Sequence, residues 1–408
     1  MPIFPLPPSG PRRLNFTIRE ITSSWDRRRF VRFAARVYRG DRYWPSGRLS
    51  ESMRALEPGR NPVLAHLRLG LFMAESRTLD ESIGTIAVWF DTRGSPAGSA
   101  RQTGCFGLFE AINEGEVVSA LLETAETWIQ ENLRGAGGLR GPAELDRCRS
   151  PGLLVDAYNA RPAPLMPYNP PYYAELIENA GYKPGRDLLA YRLDLSALRD
   201  AVGMKDIPPL ALAQGEEDRR GPVVLELARG PDRWAILSRA EHGPPDATWR
   251  LGPGSPPATF TEVLSRLKRI AGLHASAIIL TAHAGEDGKP LAFGAAVPNR
   301  TEPALVSFGR RLADRWHTGS RKNAPPALVF RRATRAGIRL LPPMVRPDCT
   351  EAGIERLLLA GLLTRAARRG YATAEISPVA SDDTAAAGTL AGYGAVPYKT
   401  YRIYEKGF

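Results

Sequence analysis

The stretch Gly337–Glu355, GIRLLPPMVRPDCTEAGIE, decides how this chain is read. Gly337 to Val345 is apolar and compact, which predicts a buried strand, and Gly353 to Arg369 predicts a helix. The residues between them form a short loop at a helix N-terminus, where free N–H groups and the helix dipole favour an anion. Downstream, Ala372–Ser377 reads as a strand, Asp383–Ala391 as a short helix and Tyr398–Tyr404 as a closing strand.

Working outward, Phe260–Ala271 predicts a helix, and Ser276–Ala282 and Leu291–Val297 predict strands joined by a turn at Gly285–Gly288. A basic helical stretch is expected at Val306–Trp316. The first half repeats a rough version of this order. A helix at Trp25–Tyr38 has Phe30, Phe33, Ala34 and Val37 on one face. Strands follow at 67–75, 83–91 and 104–109, then a helix at Glu116–Leu133 stopped by Gly135–Gly138. Short strands near 139–141 and 152–156, a helix at Tyr172–Ala180 and a strand at Leu188–Leu195 complete it. These patterns predict an α/β protein, a tandem duplication of one architecture, each copy a twisted mixed sheet flanked by helices. The expected boundaries are residues 1–198, a Pro/Gly-rich linker at 199–257 with short strands at 222–228 and 234–237, and 258–408.

Composition narrows the function. The 408 residues carry 55 basic and 43 acidic side chains, a net charge of +12. The basic clusters, such as Arg27-Arg28-Arg29 and Arg368-Arg369, are short and scattered, and no finger or helix-turn-helix signature accompanies them. DNA binding is therefore disfavoured, while an anionic small ligand or carrier would use the same charge. Three dispersed cysteines and five unspaced histidines predict neither a metal site nor a disulfide framework. No apolar run approaches the ~20 residues of a membrane span. No signal-peptide core follows the N-terminus, and the expected location is cytoplasmic.

The strand–loop–helix at 345–355 resembles the GNAT superfamily of N-acyltransferases, in which a V-x-P strand end leads through [RQ]-x-x-G-x-[GA] into a helix that holds the CoA pyrophosphate. Val345, Pro347, Asp348 and Gly353 match this pattern. Thr350 stands at the Arg/Gln position, Glu351 at a small or basic one, and Glu355 at the last Gly/Ala. Those two carboxylates oppose a pyrophosphate. The resemblance implies cofactor contacts at Val345, Thr350, Ala352, Gly353 and Ile354, and at Asp383, which matches the family's asparagine. Ala391 takes the place of the family's general-acid tyrosine, leaving Tyr393 and Tyr398 as catalytic candidates and packing aromatics as the competing reading. In the first half the equivalent turn, Glu110–Glu116, is acidic and lacks the loop. Segments such as Tyr38-Arg39-Gly40-Asp41, Arg60-Asn61-Pro62 and Pro164–Tyr173 further resemble bacterial GNAT-like proteins of this length. The proline-stiffened loop bearing Tyr168, Asn169, Tyr172 and Tyr173 is expected either to wall a substrate pocket or to form a structural corner.

The resemblance implies transfer of an acyl group from a thioester to an amine, with acetyl-CoA or acyl-CoA as a co-substrate and no tightly held cofactor. Acyl carrier protein or tRNA are alternative donors, the latter by analogy with Fem-type aminoacyltransferases. The eroded positions equally fit a non-catalytic module that binds a ligand or partner.

Overall fold

The computed structural model describes residues 14–45, 47–78, 81–94, 101–146, 150–196, 198, 223–228, 249–252, 257–273, 276–284, 290–299, 335–346, 349 and 353–408. The helix expected at 306–316, the strand expected at 234–237 and the turn at 285–288 lie outside the described residues.

The first half runs β1 (Phe16–Glu20), α1 (Ser24–Val37), α2 (Arg48–Ala55), a 3-10 turn at Pro62–His66, β2 (Leu67–Ser76), β3 (Glu81–Asp91) and β4 (Gly104–Ala111). It continues with α3 (Gly115–Asn132), β5 (Gly138–Gly141), β6 (Leu153–Leu154), α4 (Tyr172–Asn179) and β7 (Lys183–Asp194). The second half has β8 (Val223–Leu227), α5 (Phe260–Leu273), β9 (Ile278–Ala284), β10 (Pro290–Asn299), β11 (Arg335–Leu340) and β12 (Met344–Val345). It ends with α6 (Gly353–Arg368), β13 (Tyr371–Ala380), α7 (Thr384–Gly392) and β14 (Val396–Gly407).

Most of these elements follow the expected periods. The sequence reading missed two of them. β1 is a five-residue strand of alternating polarity, and α2 is an eight-residue helix whose N-cap, Gly47, makes no side-chain cap bond. The single strand expected over 337–345 is interrupted at Leu341–Pro343, because Pro342 and Pro343 have no N–H to donate to a ladder. Its remainder, β12, pairs with β10 instead of β13.

All strands among the described residues join one sheet, ordered β1-β2-β3-β4-β5-β14-β7-β13-β11-β10-β9-β8, with β6 on β14 and β12 on β10. Read inward from either end, the order is the same. Four strands run antiparallel, the fourth pairs parallel with a fifth, and an exchanged strand closes the half. That exchanged strand comes from the other half: β14 lies between β5 and β7, and β7 lies between β13 and β14. A pseudo-two-fold axis therefore passes between β7 and β14. As units of chain we propose the division 1–198 and 258–408. As units of structure the halves share their last strands.

Each half has helices on both faces of its sheet. In the first, α3 and α4 cover Ile86, Val88, Phe106 and Tyr404, while α1 and α2 cover Met73, Ala87 and Trp89 on the opposite face. In the second, α6 covers Leu280, Ala292, Ile338 and Leu340, and α5 covers Ile279, Phe293 and Met344. Among the described residues no helix is long and apolar enough to cross a membrane.

Candidate functional site

Each half holds one place where two parallel neighbours part, opening a wedge in the sheet. In the first half β4 and β5 pair only at Gly104↔Leu139 and Cys105↔Arg140. One further bond, from Ala143 N–H to Phe106 O (2.7 Å), marks the apex. Gly107 is required there, since a Cβ would lie 2.2 Å from the Ala143 carbonyl oxygen. Beyond the apex β4 bulges against β3, with three steps along β4 (Gly107 to Glu110) facing two along β3 (Thr85 to Ala87). The bulge is carried by Leu108, whose φ of 44° is unusual for a residue with a Cβ. Such a bulge leaves the extra residue out of the ladder beside the wedge.

A cavity of about 70 Å³ occupies this wedge. Its floor is Leu108, Phe109 and Glu110 of β4. Pro142 to Glu144 after β5 form one side, and Tyr38, Trp44, Arg48 and Ser52 from α1, α2 and their connection close it above. Tyr168 and Asn169 complete the wall. Tyr38 Oη donates to the Tyr168 carbonyl (3.1 Å), and its ring stacks on Trp44 with centroids 5.1 Å apart. Burial, reinforced by the Glu110 carboxylate, pushes the Tyr38 phenol far above its ordinary value, so it remains a proton-bearing donor. Tyr168 Oη donates to Asp41 Oδ2 (2.7 Å). The Trp44 indole N–H is buried and has no hydrogen-bond partner among the described residues. An unsatisfied donor on a cavity wall is a ready partner for a carbonyl oxygen.

The other two residues of the proline-rich loop act on β4 from behind the cavity. Tyr173 Oη donates to Glu110 Oε2 (2.8 Å) and accepts from Ala111 N–H (2.8 Å), while Tyr172 Oη donates to Ala111 O (2.9 Å). These bonds orient the Glu110 carboxyl and cap the end of β4, so Tyr172 and Tyr173 support the wall formed by Tyr168 and Asn169. Asn169 itself pins β6, accepting from Leu154 N–H (2.7 Å) and donating to Leu154 O (3.1 Å). Only three residues separate β4 from α3, and Glu114 and Glu116 flank the helix start. That end offers no cradle for a pyrophosphate.

Among the described residues, the wedge of the second half is occupied. β11 and β13 pair from Arg335↔Tyr371 to Leu340↔Ile376 and then part. Arg250 occupies the free edge of β12, with its N–H on Val345 O (3.0 Å) and its carbonyl accepting from Val345 N–H (3.1 Å). Trp249, Leu251 and Leu165 pack beside it against Phe293, Leu341 and Met344. Deeper in, Arg339 is almost fully buried and gives its guanidinium to Ser377 Oγ (2.9 Å), Ser377 O (2.9 Å), Ser150 Oγ (2.6 Å) and Pro164 O. Burial lowers its pKa to about 10. Ser377 Oγ donates to Glu375 Oε1 (2.6 Å), and Tyr398 Oη donates to the other carboxylate oxygen. The first half's loop thus lines its own cavity and plugs its neighbour's wedge.

The sequence-derived candidates are distributed accordingly. Val345 lies in β12 between β10 and Arg250, and Gly353 and Ile354 are buried at the start of α6. Thr350 and Ala352 lie outside the described residues. Asp383 caps α7, accepting from Ala386 N–H (2.9 Å). Tyr398 is committed to Glu375, and Tyr393 packs against the second-half core at the C-cap of α7. Glu355, read from sequence as opposing a pyrophosphate, is paired with Arg250 (3.1 Å). Tyr38, Trp44, Arg48, Leu108 and Glu110 escaped the sequence reading as site residues. Tyr38 and Glu110 lie within segments quoted above, but nothing local marks them as neighbours. Among the described residues no cluster of His, Cys, Asp or Glu could hold a metal ion.

A sheet whose fourth and fifth strands pair in parallel and then part, with a long helix following the fourth, occurs here twice, and in the first half the fourth strand is also bulged. The solved GCN5-related glucosamine N-acetyltransferase region of a fungal multi-domain GH3 β-N-acetylglucosaminidase superposes with a TM-score of 0.50, covering 97% of this chain and 38% of that one at 12% identity. The fold is a tandem GNAT fold. Two full-length relatives accompany it. Protein YghO of Escherichia coli (strain K12) is 26% identical over 398 residues, 95% of each chain. A bacterial ceramide synthase of Caulobacter vibrioides (strain NA1000 / CB15N) is 25% identical over 389 residues, 93% of this chain and 94% of that one. No family model matches the chain. Among the described residues, the wedge of the first half holds a cavity, and that of the second is occupied by Arg250 and the apolar cluster beside it.

Proposed function

We propose that the protein is an N-acyltransferase and that transfer takes place in the wedge of the first half, over Leu108–Glu110. The observation that supports this most is the pairing of an open wedge at a bulged β4 with a carboxylate, Glu110, held at its floor by Tyr173. In this reading an acyl thioester places its carbonyl at the bulge, where a β4 backbone N–H and the Trp44 indole N–H stabilise the oxyanion. An amine attacks the carbonyl carbon, its surplus proton passes to Glu110, and the C–S bond breaks to leave an amide and a thiolate, which takes up the proton that Glu110 gives back through solvent and departs as the thiol. Arg48 and the protonated Tyr38 keep the site from carrying Glu110's charge alone. The second half acts as the partner that supplies β14 and anchors the shared loop.

The substrate class belongs to the same proposal. A ceramide is an amide of a fatty acid with a long-chain amino alcohol, so the name of the Caulobacter relative makes a long-chain amino alcohol the first acceptor to test. The acidic start of α3 favours a donor that does not depend on a pyrophosphate loop, either an acyl carrier protein or a long-chain acyl-CoA gripped by its chain. The test is mass-spectrometric detection of the amide formed from hexadecanoyl-CoA, or the matching acyl carrier protein, and a long-chain 2-amino-1,3-diol. Wild type should form amide and free thiol, and Glu110→Gln should slow it by about 100-fold or more with little change in melting temperature. Amide formation unaffected by Glu110→Gln would remove Glu110 from the chemistry, and no amide with any donor and amine would favour a binding module.

A further inference from the structure

The outer face of α1 is strongly basic, and nothing in acyl transfer itself calls for that. Trp25, Arg28, Arg32 and Arg36 recur at three- and four-residue spacing, and all are exposed, with Arg39 and Arg42 just beyond the helix end. The opposite face, Phe30, Val31 and Phe33, is buried against the sheet. The stripe from Trp25 to Arg36 is therefore ~16 Å of fixed helix surface. The acidic groups beside it are already engaged. Asp26 and Glu75 bind Arg19 and Arg29, and Glu81 binds Arg36. Arg28, Arg32 and Arg39 are left without an ion pair among the described residues. Trp25 is 63% exposed, one of two large apolar side chains so presented among the described residues, with the Arg29 guanidinium 4.9 Å over its ring.

We infer that this face docks the protein on an anionic phospholipid bilayer. Arginines on a flat, rigid face attract lipid phosphates, and an exposed indole settles at the headgroup level of a bilayer. An acidic protein partner would use the arginines, but it leaves a solvent-facing indole on a convex helix without a matching pocket. The placement also fits the molecule: α1 and α2 form the roof of the cavity, through Ala34, Tyr38, Leu49 and Ser52. A surface-bound protein would hold that roof toward the membrane, where an amphipathic amine resides. The charged face lies on the lipid, with the apolar face of α1 retained in the core, so binding is peripheral and salt-sensitive.

The test is sedimentation of the full chain with vesicles, requiring no turnover, so its outcome is independent of whether acyl transfer occurs. Vesicles of phosphatidylcholine with about one-third phosphatidylglycerol should bind the protein at about 0.1 M NaCl and release it at about 0.5 M, while pure phosphatidylcholine should bind little. Each arginine at an anionic surface contributes about fivefold, so the double charge reversal Arg28→Glu with Arg32→Glu should weaken binding by about 30-fold or more. Trp25→Ala alone should weaken it by a smaller factor and abolish any salt-resistant remainder. The melting temperature should stay within a few degrees, as these side chains are solvent-facing. No binding to anionic vesicles overturns the proposal. So does binding that the double reversal leaves intact, or retention by an acyl carrier protein in place of vesicles.

Discussion

Leu108 holds a backbone conformation that most L-residues avoid, at the one point where β4 leaves both of its neighbours. Such local strain persists only where surrounding contacts enforce it, and here Gly107 against Ala143, and Tyr172 and Tyr173 on Ala111, clamp the bulge from both sides. The result is a fixed wedge floor with Glu110 oriented beside it. A second residue with a measurable signature is Lys399, 1% exposed, whose ammonium donates to the carbonyls of Ala160 (3.0 Å) and Arg161 (2.9 Å). Burial lowers its pKa from 10.5 to about 8, against the pull of Glu375 and Asp156. Between those two values the unfolded chain binds the proton that the folded chain has released, so stability due to this group rises as pH increases from about 8 to 10.5. Chemical denaturation of wild type and Lys399→Met across that range should give a difference that grows with pH and flattens above it. A pH-independent difference would mean Lys399 titrates normally. Neither Leu108 nor Lys399 is conspicuous in sequence, because strain and burial depend on partners more than 30 residues distant in the chain.

Elements were the most legible scale. Apolar runs and periodic faces mark β2 to β4, α3 and α6, since each buries its stripe or face against a neighbour in the same half. The proline-rich loop was expected either to wall a pocket or to form a structural corner; Pro167, Tyr168 and Asn169 line the cavity, while Tyr172 and Tyr173 hold the end of β4. The acidic turn at Glu110–Glu116 could be read as unsuited to phosphate, yet its first residue faces the wedge only because β4 bulges. The filling of the second wedge was not readable at all. Trp249 and Arg250 lie in a stretch that looks like linker, and pairing with Val345 is a contact across 95 residues of chain. The apex of the open wedge is testable at this scale. In Gly107→Ala the new methyl would meet the Ala143 carbonyl at 2.2 Å and the Trp89 ring at 2.8 Å. Since backbone must move, the variant should lose at least ~2 kcal/mol in denaturant melts and lose transfer activity with it. Wild-type stability would show that β4 and β5 are not held as described.

At the scale of the whole molecule the exchange of β7 and β14 is the decisive feature. β14 pairs with β5, β6 and β7, and its Tyr401 and Tyr404 are fully buried in first-half clusters. The halves are also tied by Arg339 to Ser150, and by Arg269 to Asp146. A tandem duplication was legible from the repeated order of elements, whereas the exchange was not, because strands at equivalent positions carry equivalent patterns whichever half they enter. Truncation after Ala395 should therefore unfold both halves, with loss of near-ultraviolet circular dichroism throughout, and the intact chain should melt in one calorimetric transition. A truncated chain that keeps a folded first half, or two separate transitions in the intact one, would contradict the shared sheet. The same exchange explains how the second half can lose an open wedge without being dispensable.

The claim that the first half holds the acyl donor is tested most directly by photo-crosslinking. A hexadecanoyl thioester bearing a diazirine beside its carbonyl would be irradiated on the intact protein and its attachment mapped by mass spectrometry. Labels are expected on Leu108–Glu110 and on Pro142–Glu144, suppressed by unlabelled donor. Labels confined to the 345–355 segment would contradict it and return the chemistry to the second half.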